Sequence, residues 1–204
     1  LDPHTTQATA TRNMLENVYD TLVMFDSQMQ IVPALAESWE TSEDGLTWTF
    51  KIRQGVTFHD GSALKASDVA FSIDRIKDPA IASPRSGDFE VVSSIEAPDD
   101  STVVFTLTSP FSPLLSKLAQ SLNVIVSETV ATANNNDLNN VVVGTGPFTF
   151  VEYVPQTKLE LAKNPNFWGT DADGNQLPYL DGILFQFYPE PTARTTAIQT
   201  GNVD

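Results

Sequence analysis

The residues of this sequence able to do chemistry are few and scattered. Cysteine is absent, which removes thiol nucleophiles, cysteine-ligated zinc and disulfides together. There are two histidines, His4 in a polar opening segment and His59 beside an Asp60-Gly61 turn. Nothing in the spacing joins either to a serine nucleophile. No Gly-x-Ser-x-Gly elbow, phosphate-cradling Gly-rich loop or His-Glu-x-x-His helix occurs. His59 reads as a turn histidine with its hydrogen bonds satisfied. His4 reads as exposed, with contact to a ligand as the rival reading. Asp171-Ala172-Asp173-Gly174-Asn175 opens like a calcium loop, with oxygen ligands at alternate positions. The rest of that loop puts Gln176 where glycine is needed and Gly182 where a bidentate Glu is needed, so a tight polar turn is the better reading. No metal, cofactor or catalytic residue is implied.

Two further features bear on binding. Gly144-Thr145-Gly146-Pro147 lets backbone approach something closely and then fixes the exit direction, which serves close packing of elements as well as a ligand. Phe89, Phe167 and Trp168 follow loop segments, where an aromatic either lines a cleft or caps a core edge.

The chain has 204 residues, 11 Lys+Arg against 26 Asp+Glu, and a formal net charge of −15. A balance this acidic argues against nucleic acid as partner, because phosphate binding needs clustered bases. With 41% hydrophobic residues the chain has enough apolar surface to build a core. No stretch approaches the roughly 18 apolar residues of a membrane span. No charged-then-apolar signal segment opens it, and it begins at Leu1, as a processed or excised chain does.

The elements that must position these residues follow from periodicity. Met14, Leu15, Val18, Tyr19 and Leu22 predict a helix over 12–22 with Thr11 as its N-cap. Residues 33–39 predict a helical turn. Leu46, Trp48, Phe50 and Ile52 alternate with polar residues as a half-buried strand, with 56–59 returning as its hairpin partner. A second helix is expected over 67–76, strands over 91–95 and 102–108, a short helix over 113–120, and a buried strand over 122–126. The Asn-rich stretch 131–140 reads as a mobile surface excursion. A hairpin over 148–154 and 158–163, a strand over 183–188 and a helix from 192 complete an α+β class.

Several motifs taken together carry a resemblance. They are Leu46 to Gly61 (LTWTFKIRQGVTFHDG), Asp68-Val69-Ala70-Phe71-Ser72, Gly144-Thr145-Gly146-Pro147-Phe148, Asn164-Pro165-Asn166-Phe167-Trp168, Asp181-Gly182-Ile183 and Gly201-Asn202-Val203-Asp204. In this order and spacing the chain resembles the extracytoplasmic solute-binding proteins of peptide ABC importers, the oligopeptide/dipeptide/nickel-binding family, along its whole length. The resemblance implies the first lobe of a two-lobed, type II-like clamp. Residues 1–40 and 141–204 would form a mixed-sheet part, and 41–140 an inserted hairpin-rich subdomain, with the second lobe absent from this chain. It implies a periplasmic or otherwise extracytoplasmic receptor, free or lipoprotein-anchored, that binds peptides without turnover and hands them to ABC permease subunits. The alternatives are a binding protein for a nickel chelate, a sugar or another small solute, and, from other classes, a stand-alone interaction domain or a hydrolase.

The resemblance also marks residues. Gln7, Ala8 and Thr9, with Arg12 and Asn13 behind them, match positions that approach the bound solute. Phe89 matches an aromatic that packs on the ligand, with Arg85 as a carboxylate partner. Gly144, Thr145 and Gly146 match a motif near cleft and hinge. Relatives usually carry Thr where Lys65 stands before the second helix, so capping there is expected to pass to Ser67 or to weaken.

Overall fold

The computed structural model describes all 204 residues. In chain order it runs α1 (Thr9–Leu15), β1 (Val23–Phe25), β2 (Ile31–Pro33), β3 (Ala36–Thr41), β4 (Thr47–Ile52), α2 (Ala66–Lys77), β5 (Val92–Asp99), β6 (Thr102–Leu107), α3 (Leu114–Leu118), α4 (Glu128–Ala133), β7 (Phe148–Val154), β8 (Lys158–Lys163), β9 (Gly182–Gln186) and α5 (Pro191–Gln199). A four-stranded antiparallel sheet has the order β3-β4-β6-β5, a three-stranded one the order β7-β8-β9, and β1 pairs with β2 alone.

The alternation in β4 works as expected. Phe50 and Ile52 are buried, and Phe50 meets Phe105 of β6 edge-on with centroids 5.3 Å apart. Its pairing differs from expectation. The partners of β4 are β3 and β6, so both its edges are taken and residues 56–59 have no ladder to join. They fold instead against 62–64, with Phe58 N–H donating to Ser62 O at 2.8 Å and Leu64 N–H to Val56 O at 2.9 Å. Burial of Val56, Phe58 and Leu64 holds that loop to the core.

Residues 36–41 are likewise a strand, not part of a helical turn. The run Ala34-Leu35-Ala36 suits a helix by propensity, but the ladder to β4 decides the matter, as tertiary context does for short segments. β3 therefore straddles the expected domain boundary at 40/41.

α1 is shorter than its apolar spacing predicts and begins earlier, with Ala8 at the N-cap position in place of Thr11. Val18, Tyr19 and Leu22 are buried as the spacing demands, yet they lie beyond the helix. The carbonyls that would continue it are used elsewhere: Val18 O accepts from Gly146 N at 2.9 Å and Asn17 O from Phe148 N at 3.0 Å. The segment 122–126 is buried but is no strand; only an isolated bridge joins Val124 to Thr21.

The Asn-rich stretch is not a free excursion. It begins in α4, buries Ala131 and Leu138, and sets Asn135 and Asn136 in left-handed conformations that asparagine tolerates. The hairpin β7–β8, α2 and β5–β6 lie where the pattern places them.

Capping of α2 passes to Asp68 rather than Ser67. Its Oδ2 accepts from Lys65 N–H at 2.8 Å, while its Oδ1 accepts from Glu128 N–H at 2.9 Å, so one carboxylate serves the starts of α2 and α4. Two apolar cores result. The larger lies between the four-stranded sheet and α2, centred on Phe50, Phe58, Ile73 and Phe105. The smaller joins α1 and Val18 to the three-stranded sheet through Val124, Phe148, Leu159 and Leu161.

Candidate functional site

The opening segment is held from behind by a polar cluster inside the protein. Asp2, His4 and Arg75 are all at most 4% exposed, so His4 is a core residue and not the exposed one its polar neighbours suggest. Arg75 projects from α2 and binds Asp2 bidentately, Nη1 to Oδ1 at 3.1 Å and Nη2 to Oδ2 at 2.5 Å. Its Nε donates to Asn136 Oδ1 at 2.7 Å and Nη2 to Asn136 O at 2.9 Å. His4 Nδ1 lies 3.0 Å from Arg75 Nη1, and His4 Nε2 lies 2.9 Å from Val124 O. Burial, foremost, holds the imidazole's pKa down to about 4.

From this anchor the chain emerges to the surface. Gln7, Ala8, Thr9 and Asn13 are exposed and Arg12 is half-buried, with a loose pair to Glu16 at 3.7 Å. The five lie close together in sequence around the start of α1, and the two hollows nearest to them are lined not by them but by their neighbours Ala10, Thr11 and Met14. The N–H groups of Gln7, Ala8 and Thr9 have no acceptor within the protein, and Ala8 is extended (φ −76°, ψ 122°). A hollow of about 630 Å³ opens on one side, with Thr5, Thr6, Asn139, Asn140 and Phe150 in its wall. A second, of about 500 Å³, opens on the other beside Met14, Gln186, Phe187 and Arg194. Thr11 and Tyr153 line both. Tyr153 sits edge-on to Phe187 with centroids 6.4 Å apart, so the ridge between the hollows is aromatic. Hydroxyls, amides and aromatic faces in this mixture suit a small polar solute.

The remaining expected residues lie elsewhere. Phe89 is fully buried in the larger core and offers no surface to a ligand. Arg85 reaches Gln120 Oε1 at 3.3 Å, away from the α1 surface. Gly144, Thr145 and Gly146 are buried at a packing junction. A Cβ on Gly144 would lie 2.1 Å from Val18 O, and one on Gly146 2.6 Å from the Val18 carbonyl carbon, so both glycines exist for close backbone approach.

His59 grips the same loop. Its N–H donates to Gly144 O at 2.9 Å, and its Nε2 lies 3.0 Å from Gly146 O; burial lowers its pKa. Thr145 Oγ1 and Trp168 Nε1 each donate to Asp20 Oδ2 at 2.8 Å. Burial pushes the Asp20 carboxyl up, and those two bonds pull it back. Arg53 covers the Trp168 ring at 4.8 Å. The Asp171 turn closes on its own donors, the N–H groups of Asp173 and Asn175 and the Asn175 amide.

Arg75, Asn136, Tyr153 and Arg194 escaped sequence reasoning. Arg75 alone carried a signal, since it lies seven positions from Asp68 and three from Ser72 on a helix line beside the apolar stripe Val69, Ile73 and Ile76.

Comparison with known proteins completes the picture. Residues 30–204 match the family model described as "Bacterial extracellular solute-binding proteins, family 5 Middle". The glutathione-binding protein GsiB of Pectobacterium atrosepticum is 33% identical over 201 residues, 98% of this chain and 38% of its own length. The chain thus spans about two fifths of the curated relatives it matches. The periplasmic binding protein AgaA of A. tumefaciens R10, solved with agropinic acid, superposes with a TM-score of 0.92 at 31% identity, covering 100% of this chain and 40% of AgaA. DppA of Helicobacter pylori, solved with the peptide STSA, gives 0.86 at 36% identity, covering 99% and 43%. The fold is a piece of one lobe of the type II-like periplasmic binding architecture. No helix is long and apolar enough to cross a membrane. The chain belongs to the bacterial extracellular solute-binding proteins, family 5.

Proposed function

We propose that this chain forms most of the first lobe of an extracytoplasmic receptor that binds a peptide or peptide-like solute and delivers it to an ABC permease, without chemical turnover. The observation that carries the reading is the largely exposed Gln7–Asn13 stretch, whose Ala10 and Thr11 reach the walls of two hollows and which the Asp2–His4–Arg75 cluster anchors from the preceding segment. Free N–H groups at Gln7, Ala8 and Thr9 suit the carbonyl oxygens of a peptide main chain, which reads no side chain and so admits varied sequences. Arg12 and Asn13 add a charge and an amide at the rim. Residues 1–40 and 141–204 form the sheet part in this reading and 41–140 the inserted subdomain, while the rest of the longer protein supplies the opposing lobe that closes on the solute.

Similarity to relatives named for glutathione and for a bound tetrapeptide supports a peptide-like solute. AgaA, solved with agropinic acid, supports a second reading in which the solute is another small polar molecule. A thermal-shift panel on the full-length protein, with di- to pentapeptides, glutathione and agropinic acid, separates the two. A ligand at 100 times its Kd stabilises by about 2.7 kcal/mol, so a binder raises Tm by several degrees. A rise with peptides supports the first reading and a rise with agropinic acid alone the second. No rise with any of them overturns both.

A further inference from the structure

The cluster behind the proposed solute-facing surface is built around a histidine whose protonation state the geometry dictates; the inference rests on that reading of the surface. Arg75 has five N–H donors, and each has an acceptor: Asn136 Oδ1, Asn136 O, Asp2 Oδ1, Asp2 Oδ2 and His4 Nδ1. A guanidinium nitrogen offers no lone pair, so Nδ1 of His4 must accept and carries no proton. The ring proton then sits on Nε2 and donates to Val124 O. We propose that His4 is a proton-operated latch: neutral, it ties the opening segment to Arg75 and to Val124; protonated on Nδ1, it turns an N–H against an Arg75 N–H and releases residues 1–8, and with them the Gln7–Asn13 surface.

The ionisable groups around it come from four stretches of chain. Asp2 lies on its own segment, Arg75 on α2, Tyr19 after α1, and Asp137 after α4. The Val124 carbonyl and, less strongly, Asp2 favour an imidazolium, but Val124 O already holds the Nε2 proton and both Asp2 oxygens are occupied by Arg75. Burial and the Arg75 charge oppose it. A released His4 titrates near its ordinary value of about 6.5 and a latched one near 4. Between those values the opening equilibrium grows about tenfold for each pH unit of acidification.

Amide hydrogen exchange on the full-length protein without added solute tests the latch. Wild type, His4→Gln and His59→Gln are compared from pH 7.5 to 4.5, with exchange corrected for its intrinsic pH dependence. Glutamine at position 4 retains a donor and an acceptor but does not titrate. The bonded amides of His4, Thr6 and Arg12 are expected to lose protection about 40-fold between pH 6.5 and 4.5 in wild type and in His59→Gln, and to stay level in His4→Gln, while β4 and β6 hold throughout. No loss in wild type, or an equal loss in His4→Gln, overturns the proposal. If His4→Gln does not fold, the ring nitrogen shifts of His4 in wild type decide. An Nε2–H tautomer whose Nδ1 titrates together with the loss of protection supports the latch, and an Nδ1–H tautomer at pH 7 overturns it. A parallel binding measurement with Ser-Thr-Ser-Ala and agropinic acid at pH 7.5 keeps the two ideas apart: binding of neither with the exchange pattern intact removes the solute reading and leaves the latch.

Discussion

Asp2 and Arg75 stand 73 positions apart in the chain and meet as a buried bidentate pair. Neither reaches appreciable solvent, so each depends on the other for neutralisation. Removing one partner from such a pair costs about 3–5 kcal/mol, because the survivor is left charged in the interior. Asp2→Ala and Arg75→Met are each expected to lose that amount in urea denaturation. The double variant is expected to lose far less than the sum. Additive losses would mean that the two side chains do not interact.

The pH dependence of folding follows from His4. Its folded pKa is depressed to about 4, below the ordinary value near 6.5 that applies when unfolded. The unfolded chain therefore binds the proton first as pH drops. Stability attributable to this group is complete above about pH 6.5 and falls as pH drops toward 4, by roughly 3 kcal/mol in total. Denaturation midpoints at pH 7 and pH 4.5 should differ more for wild type than for His4→Gln. Equal differences would contradict the assignment.

At the junction behind α1 the limiting quantity is space. Gly144→Ala would bring a Cβ to 2.1 Å from Val18 O, and Gly146→Ala to 2.6 Å from the Val18 carbonyl carbon, both against backbone that cannot rotate away. Each substitution is expected to cost about 1–3 kcal/mol or more through backbone displacement. Gly87→Ala, with nothing nearer than Glu90 Oε1 at 3.8 Å, is the control and should change little. A calorimetric series that ranks the three otherwise would remove the steric account.

Asp20 tests polar satisfaction. Both Thr145 and Trp168 donate to the same oxygen, Oδ2. Asn at this position keeps an oxygen for both donors but loses the charge and puts an NH2 in place of Oδ1, so Asp20→Asn should cost only about 1 kcal/mol. Asp20→Leu orphans two donors and should cost about 2–4 kcal/mol. Trp168 fluorescence, sensitive to the indole N–H environment, should shift in the leucine variant only.

Ala8 separates binding from folding. Its φ of −76° suits proline, and its N–H has no partner in the protein, so Ala8→Pro should leave Tm nearly unchanged. If a solute carbonyl uses that N–H, affinity should fall by about tenfold, the worth of one hydrogen bond lost at a shielded site. Unchanged affinity for every solute of the thermal-shift panel would remove Ala8 N–H from the binding surface.

How much of this was legible in the sequence depends on the range of the interaction that decides each element. β4 was readable because its alternation is local, and α2 because Val69, Ile73 and Ile76 recur at helical spacing. The partner of β4 was not readable, since β6 arrives some fifty positions later and displaces the adjacent 56–59 stretch. The early end of α1 was hidden for the same reason: Gly146 and Phe148 take the carbonyls that would have extended it. At the site, the resemblance picked out Gln7, Ala8, Thr9, Arg12 and Asn13, which the fold leaves wholly or partly exposed. It also picked out Phe89 and the Gly144–Gly146 loop, which the fold buries. The stripe Asp68, Ser72 and Arg75 was visible as polarity on a helix flank. Its targets, Asp2, Val126 and Glu128, were not, because nothing in a linear pattern names what a buried charge will meet.

The five-fold coordination of Arg75 also has a temporal side. Its acceptors lie at residues 2, 4 and 136, and His4 in turn needs Val124. On a ribosome, Asp2 and His4 have no native partner until Arg75 is made and no complete socket until Asn136 follows. The surface assigned to solute capture is thus made before the groups that anchor it and is immobilised only once they have followed. Its shape reports, more than any other stretch, that the rest of the chain has arrived and docked.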